Sequence, residues 1–385
     1  MKEIYLDNNA TTAVRKEVID AMLPYFDKEY GNSSSVHAKG RSAYKAVEHA
    51  REVIGDSIGT EPVDIFFTSG GTESDNFAIK GVGLANIDKG KHIITSQIEH
   101  LAVLESARFM EKELGFDVSI VGVDKNGVVD LDELRDSIRS DTTLVSIMLA
   151  NNETGSIQPI KEISKITKKH NIYFHVDGVQ GLGKEDMDVE DLGIDLCSFS
   201  AHKLNGPKGI GVLYIRKGVK IVPFMSGGHH EKNKRAGTLN VSGIVGFGKA
   251  VEIAMKDMEK EKARLKRLAS KLLNGLRKEL DEIYLNGHPE KRLSNTLNIS
   301  FRFIEGESLI LNFDLKGIYA STGSACTSGS LDPSHVLTAM KVPPDTSQGS
   351  IRFSLGYETT EGDIDHCLAE IPPIVKRLRE MSPLC

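Results

Sequence analysis

An α/β fold, with a doubly wound core followed by a smaller α+β domain, is what this sequence predicts. Two patterns carry the prediction. Between about residues 60 and 215, short β-branched or aromatic runs alternate with longer amphipathic stretches, the signature of βαβ units in a mainly parallel sheet. Past residue 241 the alternation gives way to one long stretch dense in Lys and Glu at pairable spacing, a bridge into a second domain. With 39% hydrophobic and 26% charged residues in a chain of 385, the composition is that of a globular protein able to bury a large core.

Taken in order, residues 16–26 and 42–58 read as helices, the second stopped by Gly59. Seven candidate strands follow, at 64–68, 92–96, 118–121, 143–149, 172–177, 196–200 and 211–216. Helices with apolar residues at helical spacing fill the gaps at 73–85, 101–114, 131–137 and 161–170. Residues 244–280 read as one long helix or a broken pair. Strands at 297–301, 318–321 and 350–355 and helices at 307–313, 333–340 and 360–379 complete an α+β pattern, with no internal repeat.

Charge and cysteine usage exclude several function classes. Lys and Arg total 48 against 54 Asp and Glu, a net charge of −6, so a broad basic face for direct nucleic-acid binding is not expected. No apolar run is long enough to span a membrane, and the first residues lack the layout of a signal peptide. A cytoplasmic protein is expected. The four cysteines, at 197, 326, 367 and 385, are far apart and suggest neither a disulfide framework nor a zinc site.

Three segments could carry chemistry. In Thr68-Ser69-Gly70-Gly71-Thr72-Glu73-Ser74 a strand ends and a helix begins, so glycines admit a ligand to free N–H groups that favour an anion. The plain alternative is a βα turn with Thr72 as N-cap. In Phe174-His175-Val176-Asp177-Gly178-Val179-Gln180 a carboxylate ends an apolar strand, where ligands of open α/β sheets bind; its alternative role is a helix cap. In the run from Cys197 to Gly211, Lys203 follows a buried strand and precedes glycines, a setting for a desolvated amine. A lone lysine there would be an ordinary surface group. Together, an anion cradle, a strand-end Asp and a lysine 26 residues later match what pyridoxal phosphate needs.

The sequence resembles the cysteine desulfurases of the NifS/IscS group, within the class V, fold-type I pyridoxal phosphate enzymes. The likeness runs along nearly the whole chain, in Tyr5-Leu6-Asp7-Asn8-Asn9-Ala10-Thr11-Thr12, Glu99-His100, Asn151-Asn152-Glu153-Thr154-Gly155, Arg235-Ala236-Gly237-Thr238-Leu239, 321–328, Arg352-Phe353-Ser354 and the three segments above. It implies a large domain at 14–255 and a small domain made of 1–13 and 256–385. It further implies Lys203 as the aldehyde-binding lysine, Asp177 as partner of the pyridine nitrogen, Gln180 and Asn152 near the ring oxygen, and His100 stacked on the ring, where it could assist proton transfer. Phosphate would be held by Gly71, Thr72, Ser200 and His202, with Thr238 reaching in from the neighbouring subunit of a homodimer. Arg352 would clamp the substrate carboxylate, helped by Asn9 and Asn152. Ser33 and Ala201 depart from residues frequent in the family.

Cys326 sits in Ser321-Thr322-Gly323-Ser324-Ala325-Cys326-Thr327-Ser328-Gly329-Ser330, a run of small residues that reads as a loop able to bring a thiol to substrate. Cys197 and Cys367 read as packing residues. The expected reaction takes sulfur from L-cysteine, Lys203 removing the α-proton and Cys326 accepting the sulfur, to give alanine and a persulfide. An iron–sulfur scaffold or other acceptor would take that sulfur onward, for cluster assembly or tRNA thiolation. Two alternatives stand beside this reading: a selenocysteine lyase, and a relay protein in which Cys326 ligates an iron–sulfur cluster with a scaffold partner. His229-His230-Glu231 lacks further ligands at regular spacing, so no metal is expected there. The run 231–235 is expected to be a solvated or interface loop.

Overall fold

A computed structural model gives the structure of residues 2–322 and 334–382. After β1 (Ile4–Tyr5) come α1 (Lys16–Met22), α2 (Pro24–Asp27) and α3 (Ala38–Ser57). Then follow β2 (Ile65–Thr68), α4 (Gly71–Ala85), β3 (His92–Ser96), α5 (Leu101–Leu114), β4 (Asp117–Val121), α6 (Leu131–Asp136) and β5 (Thr142–Met148). The alternation continues through α7 (Ile160–Lys169), β6 (Tyr173–Asp177), α8 (Val189–Leu192), β7 (Leu196–Ser200) and β8 (Gly211–Ile215).

Strands β2 to β8 form one seven-stranded sheet in the order β2-β8-β7-β6-β5-β3-β4. All neighbours run parallel except around β8, which is antiparallel to both β2 and β7. Helices on both faces bury the inner strands completely, which is why those segments are continuous apolar runs; β4, at the edge, is partly exposed.

The long stretch after residue 240 is one helix, α9 (Val241–Glu279). It contains no proline, so nothing in its interior removes a backbone donor. Beyond it lie β9 (Ile283–Asn286), β10 (Thr296–Phe301), α10 (Gly306–Asp314), β11 (Ile318–Tyr319), β12 (Ser321–Thr322), α11 (His335–Ala339), α12 (Pro344–Ser347), β13 (Ser350–Ser354) and α13 (Glu361–Met381). Strands β12-β13-β10-β9 form an antiparallel sheet, and β1 pairs with β11.

Two apolar clusters result. The first packs the large sheet against α3, α7 and the start of α9 through Ile244, Phe247 and Val251. The second joins Ile4 and Leu6 with β10, β13, α13 and the end of α9 through Leu268, Leu272 and Leu276. One helix thus belongs to both. No helix among the described residues is long and apolar enough to cross a membrane.

Four local expectations are corrected. The helix expected over 16–26 is divided, because Pro24 starts a new helix and cannot donate back into the first. The strand expected over 318–321 splits, its halves joining different sheets. Thr72 is not the N-cap of α4, since the helix begins a residue pair earlier with Gly70 in that place. Glu231 is not solvated: it is buried, grips Arg51 at 2.7 Å and accepts the Phe67 N–H.

Candidate active site

Asp177 stands at the C-terminal end of β6, 7% exposed, and one of its oxygens accepts the Val179 N–H at 3.0 Å. It caps no helix. Burial pushes its carboxyl pKa up, opposed by the nearby charges of His100 and Lys203. The turn after Asp177 presses against the start of α4: a Cβ on Gly71 would lie 2.7 Å from Val179 Cγ2, so only glycine allows this approach. The free N–H groups of a fifteen-residue helix therefore open beside Asp177, with Ser200 behind them at the end of β7.

Lys203 follows β7 in a short helical turn, and its Nζ donates to the carbonyls of Asn9 (2.6 Å) and Ala10 (2.8 Å). His202, beside it, pairs Nδ1 with Thr11 Oγ1. Burial and the charges of Lys203, Lys208 and Lys184 hold the His202 pKa down to about 4, so the ring is neutral.

The segment from Asp7 to Thr12 is the common support. Asn9, 1% exposed, receives its backbone bond from Gln180 Nε2 (3.1 Å) as well as from Lys203, and donates through its side chain to the Asn152 carbonyl (3.1 Å). The Asn152 carbonyl also takes Arg352 Nη1 at 3.3 Å, while Arg352 Nη2 grips Asp7 Oδ1 at 2.6 Å. Arg352 is 3% exposed and its Nε has no partner among the described residues.

His100 is the N-cap of α5, its Nδ1 accepting the Ala102 N–H at 3.1 Å. An accepting Nδ1 carries no proton, so the neutral ring presents Nε2–H. Burial lowers its pKa in agreement, with Lys203 and His335 in the same direction and Asp177 against. His100 can thus donate a proton from Nε2, whereas taking one at Nδ1 would release the cap.

Of the residues singled out in the sequence, Asn9, Asn152, Gln180, Lys203 and Arg352 are joined by hydrogen bonds, with Asp177 and His100 coupled to them electrostatically. Gly71 and Ser200 form the cradle. Thr72 and Thr238 are exposed. Thr238 lies on a segment fixed by Arg235, which makes a bidentate pair with Glu73 at 2.8 and 3.1 Å. Cys326 and Cys385 lie outside the described residues, whereas Cys197 and Cys367 are fully buried and free, as packing residues should be.

Several groups around the site escaped the sequence reading. Asp7 had a visible signal, its place two residues before Asn9; Lys184 had one too, four residues after Gln180. Glu99, fully buried, accepts Ser96 Oγ and the Met148 N–H, and burial raises its pKa to about 8. Glu153, raised to about 7 by burial, accepts Ser334 Oγ at 2.5 Å.

The profile of the family described as aminotransferase class-V matches residues 4–367. The chain belongs to the class-V aminotransferase family. Among relatives of this class-V chain, the cysteine desulfurase IscS of Methanosarcina thermophila is 55% identical over 383 residues, spanning 100% of this chain and 94% of that protein. That of Dictyoglomus turgidum is 53% identical, spanning 99% and 97%. A solved NifS-like protein superimposes with a TM-score of 0.93 at 42% identity, covering 98% of this chain and 100% of the other. The NifS-like protein of Rickettsia africae gives 0.88 at 34% identity, with 97% and 100% covered.

Class-V enzymes of this fold type depend on pyridoxal phosphate. The residues here fit that group. A buried carboxylate raised by desolvation suits a protonated ring nitrogen, a glycine-opened helix start suits a phosphate, and Lys203 follows β7, the strand paired with the one that ends in Asp177.

Proposed function

We propose that this class-V enzyme is a cysteine desulfurase that moves sulfur from L-cysteine to Cys326. The observation that carries the reading is the convergence of Lys203, Gln180 and Asn152 on the single residue Asn9, with Arg352 joined to it through the Asn152 carbonyl. It occurs in a chain half identical, over its whole length, to cysteine desulfurases.

Lys203 would hold pyridoxal phosphate covalently, and Asp177 would keep its ring nitrogen protonated. When bound, the cofactor supplies an electron sink for charge developing at the substrate Cα. Gly71, Thr72, Ser200 and His202 would hold its phosphate, and Gln180 would contact its ring oxygen. His100 would stack on the ring and has a proton to donate at Nε2. Arg352 fixes the substrate carboxylate, assisted by Asn9 and Asn152, and Lys203 takes the proton from Cα. The Cys326 thiolate attacks the substrate sulfur, the C–S bond breaks and Cα and Cβ end as those of alanine; L-cysteine plus thiol gives L-alanine plus persulfide, with no external oxidant or reductant. Release of that sulfur as sulfide then needs a thiol reductant, while an iron–sulfur scaffold or another acceptor would take it directly.

Two copies of the chain form the working unit, Thr238 of each reaching the partner's phosphate site; its exposure on an Arg235-braced segment supports this. A cytoplasmic setting, where thiols stay reduced, suits the free cysteines.

The test is a paired assay of alanine and sulfide from L-cysteine with a reductant. Equal yields are expected, with Cys326→Ala losing both products while keeping the visible absorption of bound cofactor, and sedimentation at twice the chain mass. A wild-type protein that stays colourless and inactive after addition of pyridoxal phosphate would refute the enzymatic reading.

A further inference from the structure

Lys184 is a half-buried ammonium that the proposed reaction does not use. It lines a cavity of about 90 Å³ behind Lys203, between the two apolar clusters. The cavity's other charged groups have their own partners: Lys262 pairs with Glu185, Arg264 with Glu261, and Arg15 with Asp257 at 3.4 Å. No carboxylate among the described residues pairs with Lys184. Its hydrogen bond goes instead to Gln180 Oε1, at 2.6 Å. Burial, and then the charges of Lys203 and Arg352, lower its pKa to about 7.

The two ends of a glutamine amide are nearly equal in shape and differ in hydrogen-bonding sense. An ammonium only donates. While Lys184 is protonated, the end of Gln180 that faces it must therefore be the carbonyl, and the NH2 must turn the other way, where one hydrogen goes to the Asn9 carbonyl at 3.1 Å. Its second hydrogen is left for an acceptor on the cofactor side. Without Lys184 Gln180 Oε1 loses its donor, and only the Asn9 carbonyl and the cofactor's oxygen are left to hold the amide in place.

We propose that Lys184 is a positioning residue: by accepting nothing and donating to Gln180 Oε1, it sets the Gln180 amide so that its NH2 faces the cofactor's ring oxygen. The proposal rests on the reading of Gln180 as a ring contact given above. It assigns Lys184 no contact with substrate.

The test is the pH titration of the visible absorption band of the pyridoxal phosphate-loaded enzyme, in wild type, Lys184→Met, Lys184→Arg, Gln180→Ala and the Lys184→Met/Gln180→Ala double variant. Lys184→Met is expected to move the midpoint by roughly 0.5–1 pH unit, and Lys184→Arg, which also only donates, to keep it near the wild-type value. In the Gln180→Ala background, Lys184→Met should move it no further. A Lys184→Met midpoint equal to wild type overturns the proposal. So does a shift of the same size in the Gln180→Ala background, since Lys184 would then act on Lys203 directly through its charge. A Gln180→Ala protein with an unmoved midpoint strikes instead at Gln180 as a ring contact, and the Lys184 assignment falls with it.

Discussion

Asp7 holds the guanidinium of Arg352 from one side and the Asn152 carbonyl holds it from another. Removing the carboxylate leaves a buried cation with one fewer acceptor, and hydrogen bonds to charged groups contribute about 1.5–3 kcal/mol. Asp7→Ala is therefore expected to raise KM for L-cysteine about tenfold or more, with kcat changed less and the cofactor spectrum unaltered. Asp7→Asn keeps an oxygen at the same place and should recover part of the loss. A KM unchanged in Asp7→Ala would remove Asp7 from the clamp. The residues that matter here were unevenly legible. Lys203 and Asp177 stood out because a lysine and a carboxylate at strand ends need a reason. Asp7 lay in a motif already noted, yet its role depends on Arg352, 345 residues away, and no local pattern links the two.

At the scale of elements, α9 is what joins the two halves of the molecule, with Ile244 to Val251 in one cluster and Leu268 to Leu276 in the other. Its middle is exposed at Lys260. Lys260→Pro should cost about 3 kcal/mol in helix stability and split a single thermal transition into two; one sharp, unshifted melt would show that α9 does not couple the clusters. The sequence left this segment open between one helix and two, because its Lys and Glu spacing suits either. The strands of the large sheet were legible to within a residue or two, since their burial on both faces forces continuous apolar runs. Two short strands were not: β1, of two residues, owes its existence to β11, far along the chain, and β9, of four, is held only by the next strand, β10. The split between β11 and β12 is likewise set by which sheet each half meets.

For the whole molecule, buried ionisable groups set opposite slopes of stability with pH. His175, fully buried and held to about 3 against an ordinary 6.5, stays neutral while the unfolded chain binds a proton, so it makes stability rise as pH climbs through that window. Glu99 and Glu153, raised to about 8 and about 7 against 4.5, keep protons that the unfolded chain has lost, so they make stability fall between about pH 4.5 and 8. Glu99→Gln retains an acceptor for Ser96 and Met148 and removes the charge, so the decline from pH 5 to pH 8 should shrink by up to ~4 kcal/mol. Denaturant midpoints at the two pH values measure it, and an unchanged decline would mean that Glu99 is already ionised in the folded protein.

The support that Asn9 gives to Lys203, Gln180 and Asn152 also imposes an order on synthesis. Asn9 is itself anchored by its N–H to Ser354 Oγ, and Asp7 bridges to the same residue. Asn9 therefore waits for Ser354, made 345 positions later, an interval of tens of seconds at about 5–20 residues per second. In the later part of that interval the nascent chain carries Lys203 without the completed frame that aims it. A polypeptide interrupted before Ser354 lacks the finished site, so sulfur chemistry is expected only on chains that extend past it.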